Sequence, residues 1–401
     1  MRLINAKNFA GKYASVFCLL LLSACFGRTE SLPAEDASGV EEEIFIAPDP
    51  IQIRAAEIVS SLDDRILTAQ LFICAVDGRG KLSEQSKTLL TRCPAGGMIF
   101  FGYNLNTPDD AIRSFIAEIV SAIKNEADLA PFVSVDHEGG LVNRLRGIAP
   151  LPAAHSYWEL AMKDDRQKAL DKIEADSFRS GEIIKSLGFN FNFAPVAEYL
   201  NDDNRDFFDS RTYGPDPFFV SEAAAVFIRG MEQAGVLCVI KHFPGSAGED
   251  PHFFRSVLKG DRAALTELVS PFASLIKSGT RVVMTSHSLV PAMDSEIASL
   301  SPVIMKDWLR GELGFNGIIV CDDFSMAAAG SKLVEEAAVS SVAAGADMVL
   351  VWPSDIARTH HAFLSALEDG RLSRERLMES AQRIIYEKIR MGLIESDDKE
   401  E

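Results

Sequence analysis

The stretch VLCVIKHFPGSAGEDPH, Val236 to His252, decides how the rest of the chain is read. It opens on five apolar or nearly apolar residues, Val236, Leu237, Cys238, Val239 and Ile240. A continuous run of this kind is expected of a strand buried on both faces of a parallel sheet. Lys241 and His242 then end the apolar run, Pro244 and Gly245 break the strand, and a polar loop presents Asp250 and His252. A carboxylate beside an imidazole is a general acid/base unit in principle, because it fixes the ring's tautomer and stabilises the protonated form.

Working outward, the same pattern recurs. Buried-strand candidates lie at Leu71 to Val76, Gly97 to Phe101, Phe132 to Asp136, Phe191 to Val196, Val236 to His242, Val282 to His287, Gly317 to Asp322 and Met348 to Trp352. Helical periodicity fills most of the gaps, at Ala111 to Ile123, Arg166 to Leu187, Glu222 to Ala234, Ala263 to Lys277, Met305 to Leu313 and Leu333 to Ala344. Ser373 to Met391 reads as a closing helix. This alternation predicts an α/β fold of the (β/α)8 TIM-barrel type. A doubly wound open sheet is the rival, but no GxGxxG follows the first strand and no P-loop is present.

Composition sets the outer bounds. With 401 residues, 47% of them hydrophobic, the chain can bury one large core. A net charge of -18 argues against nucleic acid, whose phosphates call for basic surface. At the N-terminus Arg2, Lys7 and Lys12 precede the apolar run Ala14 to Leu22 and then Leu22-Ser23-Ala24-Cys25. The run is too short to span a bilayer and reads as an export signal ending in a lipobox, with Cys25 as the lipidated residue. The expected organisation is a lipoprotein signal peptide over 1–24, a flexible tether over 25–50, a barrel domain over 51–394 and an acidic tail over 395–401. The expected location is the bacterial cell envelope, lipid-anchored through Cys25 and facing the periplasm or the surface. Cys74, Cys238 and Cys321 sit in strand-like runs as small hydrophobes, and Cys74 with Cys93 could pair in an oxidising compartment. No cysteine or histidine spacing suits a metal, and no cofactor motif is visible.

Barrel enzymes place their chemistry at the C-terminal ends of the strands. Here those ends read Asp136, Lys241 with His242, His287, and Asp322 with Asp323. A charge at a barrel mouth costs desolvation unless a partner or a ligand meets it, so four such endings favour a polar ligand site. Arg211, among turn-forming residues, and Arg144, after Gly139-Gly140, add groups that bond hydroxyl or carbonyl oxygens. The set suits a neutral, hydroxyl-rich ligand such as a sugar.

The motifs that carry a resemblance are these. Val135 to Gly140 reads VDHEGG, Asn192 to Val196 reads NFAPV, Ser210 to Pro217 reads SRTYGPDP and Lys241 to Gly245 reads KHFPG. Met284 to His287 reads MTSH with Pro291 to Asp294 as PAMD, and Ala298 to Ser301 reads ASLS. Leu313 to Gly317 reads LGFNG, leading to DDFSM at Asp322 to Met326, and Ala344 to Met348 reads AGADM. In this order they resemble glycoside hydrolase family 3, specifically its single-barrel bacterial β-N-acetylglucosaminidases of cell-wall turnover, over roughly Ala55 to Gly392.

The resemblance implies a retaining exo-β-N-acetylglucosaminidase without a cofactor, with Asp322 as nucleophile and His252 paired with Asp250 as acid/base. It implies sugar binding by Asp136, Arg144, Arg211, Lys241 and His242, with His287 lining the same mouth, and makes Asp323 a structural carboxylate. The substrate would be a glycan bearing β-linked N-acetylglucosamine, in peptidoglycan fragments or chito-oligosaccharides. Two departures stand out. The loop between KHFPG and the Asp/His pair is shorter than is usual in the family and holds Pro251 inside the pair, and Leu141 stands where arginine is common. The alternatives are a β-glucosidase or β-xylosidase, a glycoside phosphorylase, or a glycan-binding surface lipoprotein with a decayed active site.

Overall fold

The strands form where the apolar runs predicted them. They are β1 (Phe72–Ala75), β2 (Gly97–Phe100), β3 (Phe132–Val135), β4 (Phe191–Asn192), β5 (Leu237–Cys238, resumed as Ile240–Phe243), β6 (Val282–Thr285), β7 (Ile318–Cys321) and β8 (Met348–Val351). The computed structural model describes residues 49–395, apart from 249, 327, 328 and 331. The export signal, Cys25, the tether up to residue 48 and the tail from 396 lie outside the described residues.

Every pairing in the main sheet is parallel, and the sheet runs β5–β4–β3–β2–β1–β8–β7–β6–β5. The same strand stands at both ends of that order. Leu237–Cys238 pairs with β4 and Ile240–Phe243 pairs with β6, so the two halves of β5 close the sheet into a barrel through Val239. The Val239 amide spans the join by donating to Asn192 O (3.0 Å) and Ala194 O (3.1 Å). The fold is therefore the (β/α)8 barrel that alternation implied.

Departures from the expected boundaries have local causes. β4 stops after two residues instead of reaching Val196, because Pro195 brings no N–H to the ladder. The Asn192 side chain substitutes for part of that ladder, accepting from His137 N and donating to His137 O, both at 3.0 Å. The helix expected over Ala263 to Lys277 is two, Arg262–Leu268 and Ser270–Lys277, because Pro271 can only enter near a helix start. A short antiparallel hairpin, His137–Gly139 with Val142–Asn143, follows β3 and was not anticipated. Its turn requires glycine. Gly139 and Gly140 have φ of 98° and 53°, and a Cβ on Gly139 would lie 2.2 Å from Pro152 O.

Helices wrap the barrel and seal its outer layer. The closing helix Arg374–Arg390 packs on Pro50–Ser61, and the Tyr386 hydroxyl donates to Asp49, the cap of that first helix (2.8 Å). The helix from Val303 to Glu312 is wound with i→i+5 hydrogen bonds and buries Trp308 completely.

Candidate active site

Period-two alternation places the first carboxylates. Asp136 follows β3 directly, and the chain stays extended through His137–Gly139, so Asp136 and Glu138 share one face while His137 takes the other. His137 turns away from the mouth, where its Nε2 meets Ser180 Oγ at 2.6 Å. Glu138 is buried and faces two cations. Arg211 donates to it twice, Nε to Oε2 and Nη2 to Oε1, both at 2.8 Å, and Lys241 Nζ stands 2.7 Å from Oε1. Lys241 also donates to Asp136 Oδ1 at 3.0 Å, and Arg144 lies 3.6 Å from Asp136 Oδ2. The Arg211 guanidinium packs over Phe207 and Phe208, 5.0 and 5.3 Å from the ring centroids. Burial alone would raise the Glu138 carboxyl, but the Arg211 and Lys241 charges hold it well below the carboxylate range.

A second buried carboxyl anchors the loop after β5. Glu198 accepts from His242 N (3.1 Å) and Ser246 N (2.6 Å), and its Oε1 stands 2.9 Å from His242 Nδ1. Burial pushes Glu198 up to about 8 against those amide bonds, and burial beside Lys241 and Arg211 holds His242 well below the usual imidazole range. Both directions favour a neutral pair sharing one proton. Hydroxyls secure the rest of the loop root: Ser286 and Ser288 donate to Gly245 O at 2.9 and 2.8 Å, and Ser256 Oγ accepts from Ala247 N at 2.9 Å.

Beyond that root the loop carries His252 and Asp250. Asp250 Oδ1 accepts from His252 N (2.9 Å) and lies 2.6 Å from His252 Nδ1. Its slight burial works against ionisation, but the His252 amide and ring bonds hold Asp250 below its ordinary value. The His252 side chain is 60% exposed, which leaves Nε2 available at the cavity.

Asp322 follows β7. Its amide donates to Thr285 O (3.3 Å), and among the described residues its carboxylate takes one hydrogen bond, from Asp323 N at 2.8 Å. Burial raises its pKa while the His287 and Lys241 charges pull the other way. Asp323 is occupied differently. It accepts from Ser325 N (2.8 Å), Ser325 Oγ (2.6 Å) and the Trp352 indole N–H, and its backbone oxygen accepts from His287 Nε2 at 2.9 Å. His287 in turn meets Ser299 Oγ through Nδ1 at 2.7 Å, so neither ring nitrogen is free.

These groups converge on one cavity of about 510 Å³ at the C-terminal mouth of the barrel. Asp136, Arg144, Arg211, Lys241, His242, His252, His287 and Asp322 all line it, and Asp250 reaches it through His252. Sequence reasoning passed over Glu138, Glu198, Phe101 and Trp352. The signal for Glu138 was present, two positions from Asp136 on one strand face; nothing local marks Glu198. A polar floor with one lightly bonded buried carboxylate and an exposed histidine–aspartate pair can attack an electrophilic carbon and protonate a leaving oxygen. Among the described residues no cluster of His, Cys, Asp and Glu is arranged to hold a metal ion.

Comparison with known proteins gives this geometry its lineage. Residues 61–386 match the glycosyl hydrolase family 3 N-terminal domain. The chain belongs to glycosyl hydrolase family 3. A beta-hexosaminidase of Idiomarina loihiensis is 31% identical over 277 residues, 68% of this chain and 80% of that one. The family 3 β-N-acetylglucosaminidase structure of a Paenibacillus species has 32% identity and a TM-score of 0.76, covering 83% of this chain and 63% of its own. The β-N-acetylhexosaminidase of Beutenbergia cavernae has 27% identity and a TM-score of 0.71, covering 81% of this chain and 98% of its own. The family 3 chain described here is thus a glycoside hydrolase whose domain alone spans nearly all of such a relative.

Proposed function

We propose that this chain is a retaining exo-β-N-acetylglucosaminidase, with Asp322 as nucleophile and His252 as acid/base. The observation that carries the assignment is the contrast between the adjacent carboxylates, both lining the cavity. Asp323 is held by three donors, whereas Asp322 accepts one hydrogen bond among the described residues. In the first step an Asp322 oxygen attacks the anomeric carbon, the glycosidic C–O bond breaks, and His252 gives its Nε2 proton to the leaving oxygen. Asp250 stabilises the protonated ring through Nδ1. In the second step His252 takes a proton from water, whose oxygen attacks the same carbon and releases Asp322, so configuration is retained. Asp136, Lys241, Arg211 and Arg144 supply hydrogen bonds for sugar hydroxyls, and the Glu138 hub keeps the two inner cations in place.

The beta-hexosaminidase relatives support N-acetylglucosamine as the released sugar. The lipobox supports attachment to the bacterial envelope through Cys25, where peptidoglycan fragments would be the substrate within reach. Hydrolysis of p-nitrophenyl N-acetyl-β-D-glucosaminide by the soluble chain beginning after Cys25 tests the activity. Turnover that collapses in Asp322→Ala is expected. Folded protein that cleaves neither this substrate nor the matching glucoside and xyloside would overturn it. Incorporation of labelled palmitate into the full chain, lost in Cys25→Ser, tests the anchor.

A further inference from the structure

His242 lines the cavity, and the reaction described above gives its ring no part. Both its amide and its ring face one buried carboxyl. Glu198 Oε1 accepts from His242 N at 3.1 Å and stands 2.9 Å from Nδ1, while Oε2 accepts from Ser246 N at 2.6 Å. Nε2 has no hydrogen-bond partner among the described residues, so it is the ring atom that a ligand meets. A proton between Oε1 and Nδ1 decides what Nε2 offers. If Nδ1 carries it, Nε2 is a bare acceptor; if Glu198 carries it, Nδ1 accepts and the ring's own proton sits on Nε2 as a donor. Glu198 is 2% exposed, and among the described residues no lysine or arginine hydrogen-bonds it, whereas Glu138 meets two cations. An ionised Glu198 beside a neutral ring would be a buried charge held by N–H dipoles alone. An imidazolium is opposed as well. Lys241, Arg211 and His252 all disfavour it, and Glu138, which favours it, is already neutralised by the first two. Arg211 also draws Glu198 toward ionisation from a distance, but burial outweighs it.

We infer that Glu198 is a positioning residue: it keeps its proton, donates it to His242 Nδ1 as a hydrogen bond, and so makes His242 a fixed Nε2–H donor at the cavity wall. The ligand, a sugar oxygen that accepts from Nε2, rests on the glycosidase reading. Both amide bonds to Glu198 are accepted in either protonation state, so ionisation changes the ring's tautomer without loosening the backbone. Burial raises Glu198 to about 8, so the donor is present below that pH and is lost as pH climbs through it. A sugar oxygen then meets a lone pair instead of a proton.

Labelling the protein's seven histidines with 15N reads the tautomer directly, with His242 assigned by the resonances lost in His242→Gln. At pH 7 a ring protonated at Nε2, with Nδ1 accepting, is expected; at pH 9.5 the proton should stand on Nδ1. In Glu198→Gln, whose amide N–H donates to Nδ1 at every pH, Nε2 should stay protonated throughout. Inhibition by N-acetylglucosamine, the expected product, gives the functional readout. Its inhibition constant should weaken about tenfold from pH 7 to pH 9.5 in the unsubstituted enzyme, the worth of one hydrogen bond, and stay level in the variant. A ring protonated at Nδ1 or at both nitrogens at pH 7 overturns the inference, and so does an equal response to pH in the two proteins. Absence of hydrolysis would remove the glycosidase reading alone, since the ring's protonation is read without substrate.

Discussion

At the base of the barrel Asp347, with no exposed surface, sits among three arginines. Its Oδ2 accepts from Arg310 at 2.5 Å and from Ile319 N at 2.9 Å, while Oδ1 accepts from Ser380 at 2.7 Å, Arg383 at 3.1 Å and Arg376 at 3.4 Å. At the mouth Glu138, also buried, sits between Arg211 and Lys241. Both clusters set a buried carboxylate among basic side chains and compensate burial by charge. They differ in what is left over. The base uses up its acceptors on protein donors and ties the closing helix to β8. At the mouth, Lys241 and Arg211 keep donor capacity facing a cavity, and Asp322 keeps acceptor capacity beside them. Volume does not make the distinction. A groove of about 610 Å³ also lies at the base, but its Arg281 is already bonded to Glu232 and Glu387 at 2.8 and 2.9 Å. Unspent hydrogen-bonding capacity, not buried charge or room, separates a site from a brace.

Substitutions can break that comparison from either end. The largest effect is expected from Asp322→Ala, which should lower kcat about ten-thousandfold while thermal unfolding shows no loss of stability, because a weakly bonded buried carboxyl is removed. A marked fall in melting temperature would place Asp322 with the braces. Asp347→Asn is the mirror image. Leaving three arginines around a neutral amide should cost about 3–5 kcal/mol in denaturant unfolding, while the folded fraction keeps its specific activity.

Glu138→Gln should register at both ends of the comparison, with a stability loss of about 2–4 kcal/mol and an activity loss of about a hundredfold as Lys241 and Arg211 lose their shared anchor. Its pH signature follows from the direction of the shift. The folded pKa lies below the ordinary 4.5, so the stabilisation is present above that value and is lost as pH falls from there. Unfolding measured from pH 6 down to pH 3 should therefore show a shallower decline in the variant.

The smallest effect belongs to Lys388. Fully buried, it donates to Gln70 Oε1 at 2.9 Å with Phe132 beneath it, and burial pushes it down to about 7. A lowered lysine pKa means the unfolded chain binds the extra proton between about 7 and the ordinary 10.5. Stability contributed at this position should rise with pH across that window. Lys388→Met should flatten the rise, by about 1–3 kcal/mol between pH 6 and pH 10. An identical pH profile in the variant would mean that the amine stays charged and braces the base as Asp347 does.

Legibility tracked the range over which each signal acts. The apolar run of Val236 to Ile240 announced a buried parallel strand because every residue in it faces a packed layer, a local property of composition. The same logic exposed the charged strand endings Asp136, Lys241, His287 and Asp322. The hairpin at His137–Gly139 escaped because it is held by one turn whose geometry only the fold's close approach of Pro152 makes compulsory. Glu198 escaped because its partners lie 44 and 48 residues away. Barrel closure, not spacing, makes them neighbours.

The sequence by itself determined the alternation of strands and helices, the placement of chemistry at the strand ends and the identity of the groups offered there. Periodicity, chain breakers and misplaced charge are written residue by residue. What only the tertiary structure decided is the division of labour among those groups. Arg211 finds Glu138 across 73 residues and Lys241 finds Asp136 across 105, and two adjacent aspartates part company because Ser325 and the Trp352 indole reach one and not the other. Such pairings are set when β5 joins β4 to β6 and closes the barrel, since only then does each carboxylate acquire its donors and its share of open space.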